Sequence, residues 1–229
     1  AVNPAFRGTK SAAVYTRQVE PSKQVVIRLR LSARSANVPA DAFASFDSVF
    51  AQRKAEADEF YKTVLPSSLD DDSRLIARQA FAGMLWSKQY YHYVVQDWLY
   101  GDPGQPPPAE SRTTGRNRDW THLFARDVIS MPDKWEFPWF ASWDLGFHCV
   151  ALAHVDPQFA KDQLLLMLRE WYMHPSGQIP AYEWDFNAVN PPIFGLAARA
   201  VFEIDRERSG KPDFDFIERI FQKLLLNFT

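Results

Sequence analysis

The sequence predicts a mainly α-helical chain that begins on a short β stub, and three observations carry that prediction. Period-two alternation is confined to the start, where Val25, Ile27, Leu29 and Leu31 alternate with Val26, Arg28, Arg30 and Ser32, as on a strand with one buried face. From Asp41 onward apolar residues return at spacings of three and four, the period of an amphipathic helix. Capping residues and prolines punctuate that region where helices start and stop.

Residues 13–19 and 24–31 read as two strands parted by Glu20, Pro21, Ser22 and Lys23, the last strands of a sheet whose remainder lies outside the chain. A lone hairpin is only marginally stable, so these strands need a further layer or further strands. Asp41 opens a helix that carries Phe43, Phe46, Phe50, Arg53, Ala57, Phe60 and Val64 and ends before Pro66; it reads as a linker. The cluster at 70–73 opens a long helix whose core-facing side runs through Ile76, Ala80, Gly83, Met84, Ser87, Tyr91, Val94, Val95 and Trp98. Residues 101–118 form a loop with Pro103, Pro106, Pro107 and Pro108, in which Arg112, Arg116 and Arg118 read as a solvated run rather than an anion site.

Beyond Trp143, helices alternate with loops. One spans about 144–154. A second is capped by Asp156 with Pro157 in its first turn, and continues through Phe159 and 164–168 to Trp171. Residues 160–172 are apolar nearly all round, so this helix is expected to be buried on most sides, as in the inner ring of a layered helical barrel. A third is opened by Asn190, Pro191 and Pro192 and gives way to a polar turn over 205–212 containing Gly210; the last starts at Asp213 and presents Ile217, Ile220, Phe221, Leu224, Leu225 and Phe228. Antiparallel helix pairs with their long loops at one end would make a concave face.

Composition excludes several functions. Net charge is −2 from 26 basic and 28 acidic residues mixed along the chain, which offers nucleic acid no electrostatic footprint. No apolar run is long enough for a membrane helix, so neither a nucleic-acid nor a membrane partner is expected. The start lacks an initiator Met and the marks of a signal peptide; a cytoplasmic setting and an internal cut are the expectations. One cysteine, Cys149, rules out a disulfide framework within the chain. His92, His122, His148, His154 and His174 lack metal-ligand spacing, and there is no phosphate-cradling glycine loop or GxSxG nucleophile. No metal and no cofactor are expected.

The chemistry is expected in residues 131–149, MPDKWEFPWFASWDLGFHC, an aromatic loop running straight into a helix. Two readings fit Asp144. A carboxylate at a helix start is stabilised as a cap; alternatively, Trp139, Phe140 and Trp143 exclude water around it and let it hold a proton as a general acid. A second wall comes from residues 177–184, GQIPAYEW, and 189–192, VNPP. There Gln178 and Asn190 can bond sugar hydroxyls, and Tyr182 and Trp184 offer flat faces for stacking. Glu183 is a possible second carboxylate, with an exposed loop acid as the plainer account.

The stretch from MPDKWEFPWF through GQIPAYEWDFNAVNPP closely resembles glycoside hydrolase family 63, in particular its large bacterial glucosidase-like members, relatives of mannosyl-oligosaccharide glucosidase and mannosylglycerate hydrolase. The likeness extends from GTKSAAVYTRQV to FQKLLLNFT. It implies that residues 1–35 are the C-terminal strands of a β-sandwich domain, 36–69 a linker helix, and 70–229 the N-terminal part of an (α/α)6 catalytic barrel. Trp143, Asp144 and Phe147 match the family's general-acid motif, which implies that Asp144 protonates the leaving oxygen in an inverting hydrolysis of α-glucosidic or α-mannosidic bonds. Inversion needs a second carboxylate, about 6.5–9.5 Å away, to activate water. The resemblance places that base downstream of the chain end, and Glu183 does not sit in its motif. The expected partner is an oligosaccharide or small glycoside, and the chain alone is expected to be inactive. A carbohydrate-binding or scaffolding protein without catalysis is the alternative.

Overall fold

The computed structural model describes residues 12–33, 41–104, 106–115, 118–131, 133, 136–137, 139–179, 181 and 191–226. The chain falls into two units, Ala1–Ala57 and Asp58–Thr229, divided within helix α1 (Phe46–Val64).

In the first unit the expected break between strands is present. The Lys23 amide donates to the Glu20 carbonyl at 3.0 Å, Pro21 presets the second position, and Ser22 takes a positive φ of 58°. The flanking stretches run extended, and no described residue pairs with them in a strand ladder. Their apolar stripe is uncovered: Val25 is 49% and Leu31 100% exposed. Alternation specifies a strand only where a layer buries one face, and no described residue supplies that layer. Arg28 instead forks onto Asp47 at 2.9 and 3.2 Å and lies over the Phe46 ring, while Arg30 donates to the Ala42 carbonyl. Asp41 closes a local turn by accepting from the Phe43 amide at 3.0 Å, so α1 starts five residues later than its proposed cap.

The second unit contains α2 (Asp71–Trp86), β1 (Lys88–Val94), α3 (Val95–Tyr100), a short 3-10 turn (Glu110–Thr114), β2 (Phe124–Ser130), α4 (Ser142–Leu152), α5 (Pro157–Met167), α6 (Ile193–Ser209) and α7 (Phe214–Leu225). The mainly helical prediction holds. Asp70 caps α2 by accepting from the Ser73 amide at 2.8 Å.

The long helix expected through Trp98 does not form. It stops at Ser87, and KQYYHYV becomes β1, antiparallel to β2 with Tyr91 opposite Asp127 and Tyr93 opposite Ala125. Tyrosine and valine favour strands, and a partner strand more than thirty residues away was there to pair with them; helical periodicity alone cannot register such a partner. Gln89, Tyr91 and Tyr93 share the inner face with Ala125, Asp127 and Ile129.

The core is built on α4, which packs against α2, α5 and α6, while α6 also meets α5 and α7. Leu145, Cys149 and Leu152 are fully buried, as are Leu164, Leu168, Ala197 and Val201 on the neighbouring helices. Gly146 permits the close approach of α6: a β-carbon there would lie 3.1 Å from Ile193 Cγ2 and 3.2 Å from Cγ1. Asp156 caps α5 through the Phe159 amide at 3.1 Å, with Pro157 in the first turn as predicted. The helix ends at Met167, however, short of Trp171.

The polar turn expected from Asp205 starts later, because α6 continues to Ser209 and ends at the left-handed Gly210, φ 70°. Charge holds that last turn in place. Lys161 of α5, 7% exposed, reaches Asp205 at 2.7 Å and Asp213 at 2.6 Å, and Asp213 in turn caps α7 through the Phe216 amide at 3.0 Å. Burial opposes the Lys161 ammonium, but the hydrogen bonds and charges of the two carboxylates outweigh it and raise its pKa. The Lys161 hydrogen bond likewise holds the Asp213 carboxyl below its ordinary value.

Two outcomes follow. Gly146→Val forces side chain into the α4–α6 seam and should lower stability by about 1–3 kcal/mol, read as a lower urea midpoint. A carboxyl depressed in the folded state stabilises above its unfolded pKa and loses that contribution as pH falls through the folded value. Urea midpoints measured from pH 6 downward should therefore fall below about pH 4, and Asp213→Asn should flatten part of that fall.

Candidate functional site

The site forms where the aromatic loop enters α4. Ala141 precedes the helix without a side-chain cap. Ser142, the first helical residue, sends both its amide (2.9 Å) and its hydroxyl (3.3 Å) to the Ala181 carbonyl, which fixes the end of the 177–181 segment against the helix start.

Asp144 lies in the first turn as the third residue of α4, and no hydrogen bond reaches its carboxylate from the described residues. A cap residue accepts from the amides of the first turn, so the capping account of Asp144 does not hold. What remains is a half-buried carboxylate near the positive end of a helix. Helical spacing sets Trp143, Asp144, Phe147 and His148 side by side, opposite the buried Leu145 and Cys149. Trp143 is 37% and Phe147 52% exposed, and their rings meet edge to face at 6.2 Å.

The other predicted residues divide. Trp139 is half-buried and meets Phe137 edge-on at 5.7 Å. Phe140 is 1% exposed, held edge-on between Tyr91 at 5.9 Å and Tyr172 at 5.6 Å; it belongs to the core beneath the site and offers no free face. Tyr172 donates to Asp127 at 2.9 Å, and burial first, then Asp127, pushes its phenol pKa well up. Gln178 is half-buried, and its carbonyl accepts from the His174 amide at 2.9 Å. Tyr182, Glu183, Trp184 and Asn190 lie outside the described residues.

Sequence reasoning passed over what lies behind Asp144. His148, one turn on, places Nδ1 2.9 Å from Ser130 Oγ; Ser130 Oγ lies 2.8 Å from Ser87 Oγ, and Ser87 donates to the Met84 carbonyl at 2.6 Å. The spacing of four between Asp144 and His148 was the available signal. Burial lowers the His148 pKa, and the Asp144 charge pulls it the other way. Cys149 is buried and its thiol pKa is pushed up by that burial, which makes it a core residue rather than a nucleophile. Among the described residues no group of three His, Cys, Asp or Glu could hold a metal, and no helix is long and apolar enough to cross a membrane.

These placements separate packing from surface roles. Phe140→Ala should cost about 3–5 kcal/mol, whereas Trp143→Ala, at the surface, should cost well under half of that. Paired urea denaturation curves check it.

Comparison with known proteins bears on the same region. Residues 137–229, which include Asp144, match the family model of the mannosylglycerate hydrolase MGH1-like glycoside hydrolase domain. The chain is 48% identical over 238 aligned residues to the uncharacterized protein YMR196W of Saccharomyces cerevisiae, in an alignment that takes in all of this chain and 22% of that relative. No solved structure matches. The matched stretch is similar to a glycoside hydrolase domain, and the chain spans about a fifth of the length of the curated relative it matches.

Proposed function

We propose that the chain is part of an inverting α-glycosidase of the glycoside hydrolase family 63 kind, acting on α-glucosidic or α-mannosidic bonds, with Asp144 as the general acid. The observation that carries the proposal is the state of Asp144. It is a carboxylate that no described residue hydrogen-bonds, beside a pair of exposed aromatic rings, at a helix start inside the stretch that matches a glycoside hydrolase domain.

In this reading Asp144 gives its proton to the glycosidic oxygen as the bond to the anomeric carbon breaks. A second carboxylate takes a proton from water, which attacks the opposite face of the sugar. Trp143 and Phe147 stack on the ring, with Trp139 at the rim. Gln178, and beyond Ala181 the residues Tyr182, Trp184 and Asn190, contribute the facing wall; the Ser142–Ala181 bonds support that placement by tying the segment to α4. Phe140 acts from beneath, by holding the loop. The general base belongs to the longer protein, as do the rest of an (α/α)6 barrel and a preceding β-sandwich whose last strands lie in residues 1–35, and a cytoplasmic setting goes with the same reading. A relative of which the chain spans 22% has room for those parts.

In the full-length protein, Asp144→Asn should lower hydrolysis of α-glucosides or α-mannosides by about 100- to 10,000-fold while circular dichroism stays unchanged. Undiminished turnover would reject Asp144 as the acid. Calorimetric binding of oligosaccharide without any release of sugar by the wild type would instead favour a binding protein. The 229-residue chain alone should show no turnover.

A further inference from the structure

The outward face of α4 carries a second titratable group that the proposed reaction leaves idle. His148 lies one turn from Asp144, and its Nδ1 enters a row of hydrogen bonds through Ser130 and Ser87 to the Met84 carbonyl. Counting protons sets the direction of each bond. A carbonyl oxygen only accepts, so the Ser87 hydroxyl proton goes to Met84. The contact between Ser87 and Ser130 then uses the Ser130 proton, and the contact between Ser130 and His148 requires a proton on Nδ1. The ring is thereby held with Nδ1–H toward β2, and no described residue hydrogen-bonds Nε2.

The surroundings leave Asp144 as the charged group that acts on His148. From β2 the ring meets Ser130, and through it the end of α2, where Ser87 and the Met84 carbonyl are uncharged. From α5, Gln163 is committed to the Ser130 amide at 3.0 Å and the Val128 carbonyl at 2.9 Å. The residues that α6 buries, Ile193, Phe194, Ala197, Ala198 and Val201, carry no charge. Lys88, opposite Ser130 in the sheet, is paired with Asp156.

We propose that the Ser130–Ser87 row makes His148 a positioning residue one turn from Asp144, by holding the ring with Nδ1–H toward β2 and leaving Nε2 as the ring nitrogen that no described residue engages. This rests on Asp144 being the general acid. Burial of the ring disfavours the imidazolium. A neutral ring therefore puts no cation one turn from the proposed general acid.

Nitrogen-15 spectra of the histidine rings in the 229-residue chain test this without any activity. The neutral His148 ring should be the Nδ1–H tautomer, the minority form of free histidine. Asp144→Asn should keep that tautomer and move the His148 titration midpoint to lower pH, since the carboxylate that favours the imidazolium is gone. Ser130→Ala should switch the neutral ring to Nε2–H. Ser87→Ala, which leaves the buried Ser130 in place, frees the Ser130 proton to point at the ring and should give the same switch. An Nε2–H ring in the wild type, or an unchanged midpoint in Asp144→Asn, overturns the proposal. Normal turnover by full-length Asp144→Asn would reject the general acid while the tautomer result stood, so the two failures are distinguishable.

Discussion

The second unit depends on one constraint, that α4 is buried on one side and kept open on the other. Its buried side holds Leu145, Cys149 and Leu152 against three helices at once, and Gly146 lets Ile193 of α6 come so close that even a β-carbon there would be crowded, at 3.1 Å. Packing this close fixes the rotation of α4 about its axis. That rotation decides which residues face outward, and Trp143, Asp144, Phe147 and His148 are the ones left. The candidate chemistry is thus a by-product of core packing. A helix turned by one residue would bury the carboxylate and expose the cysteine.

Polar contacts then set where α4 begins and what meets its first turns. Ser142 takes the Ala181 carbonyl with both its donors, and Gln163 and Ser130 stitch α5 to the end of β2 beside His148. Farther off, Lys161 joins α5 to the last turn of α6 and the cap of α7. Each of these ties runs between elements that are distant in sequence. The aromatic rings below the site, Tyr91, Phe140 and Tyr172, do the same through edge-on contacts, so the sheet, the loop and the segment after α5 share one support.

What could be read in the sequence was local. Asp70, Asp156 and Asp213 cap the helices they were expected to cap, because a capping carboxylate needs only the amide three residues on. Asp144 was legible as a candidate from its aromatic neighbours, and the spacing of Trp143 and Phe147 placed both beside it. The failures were non-local. Residues 88–94 carry a helical stripe and a strand composition together, and only pairing with Phe124–Ser130 decides between them. Residues 24–31 show the reverse: the strand pattern is clear, but no described layer covers it. Phe140 looked like a pocket wall because loop aromatics are often exposed, and its burial depends on two tyrosines from distant segments. The row behind His148 joins three elements, and no spacing rule links Ser87, Ser130 and His148.

Cys149 gives this arrangement a built-in reporter. The thiol sits one turn and a half along α4 from Asp144, fully buried and held in its protonated form. Only the thiolate reacts, so a thiol reagent can modify it only when α4 leaves its seam. As the chain's single cysteine, its rate of labelling, with reagent limiting, measures the opening free energy of that one helix without contribution from any other position. The residue that takes no part in the proposed chemistry thus keeps time for the helix that presents it.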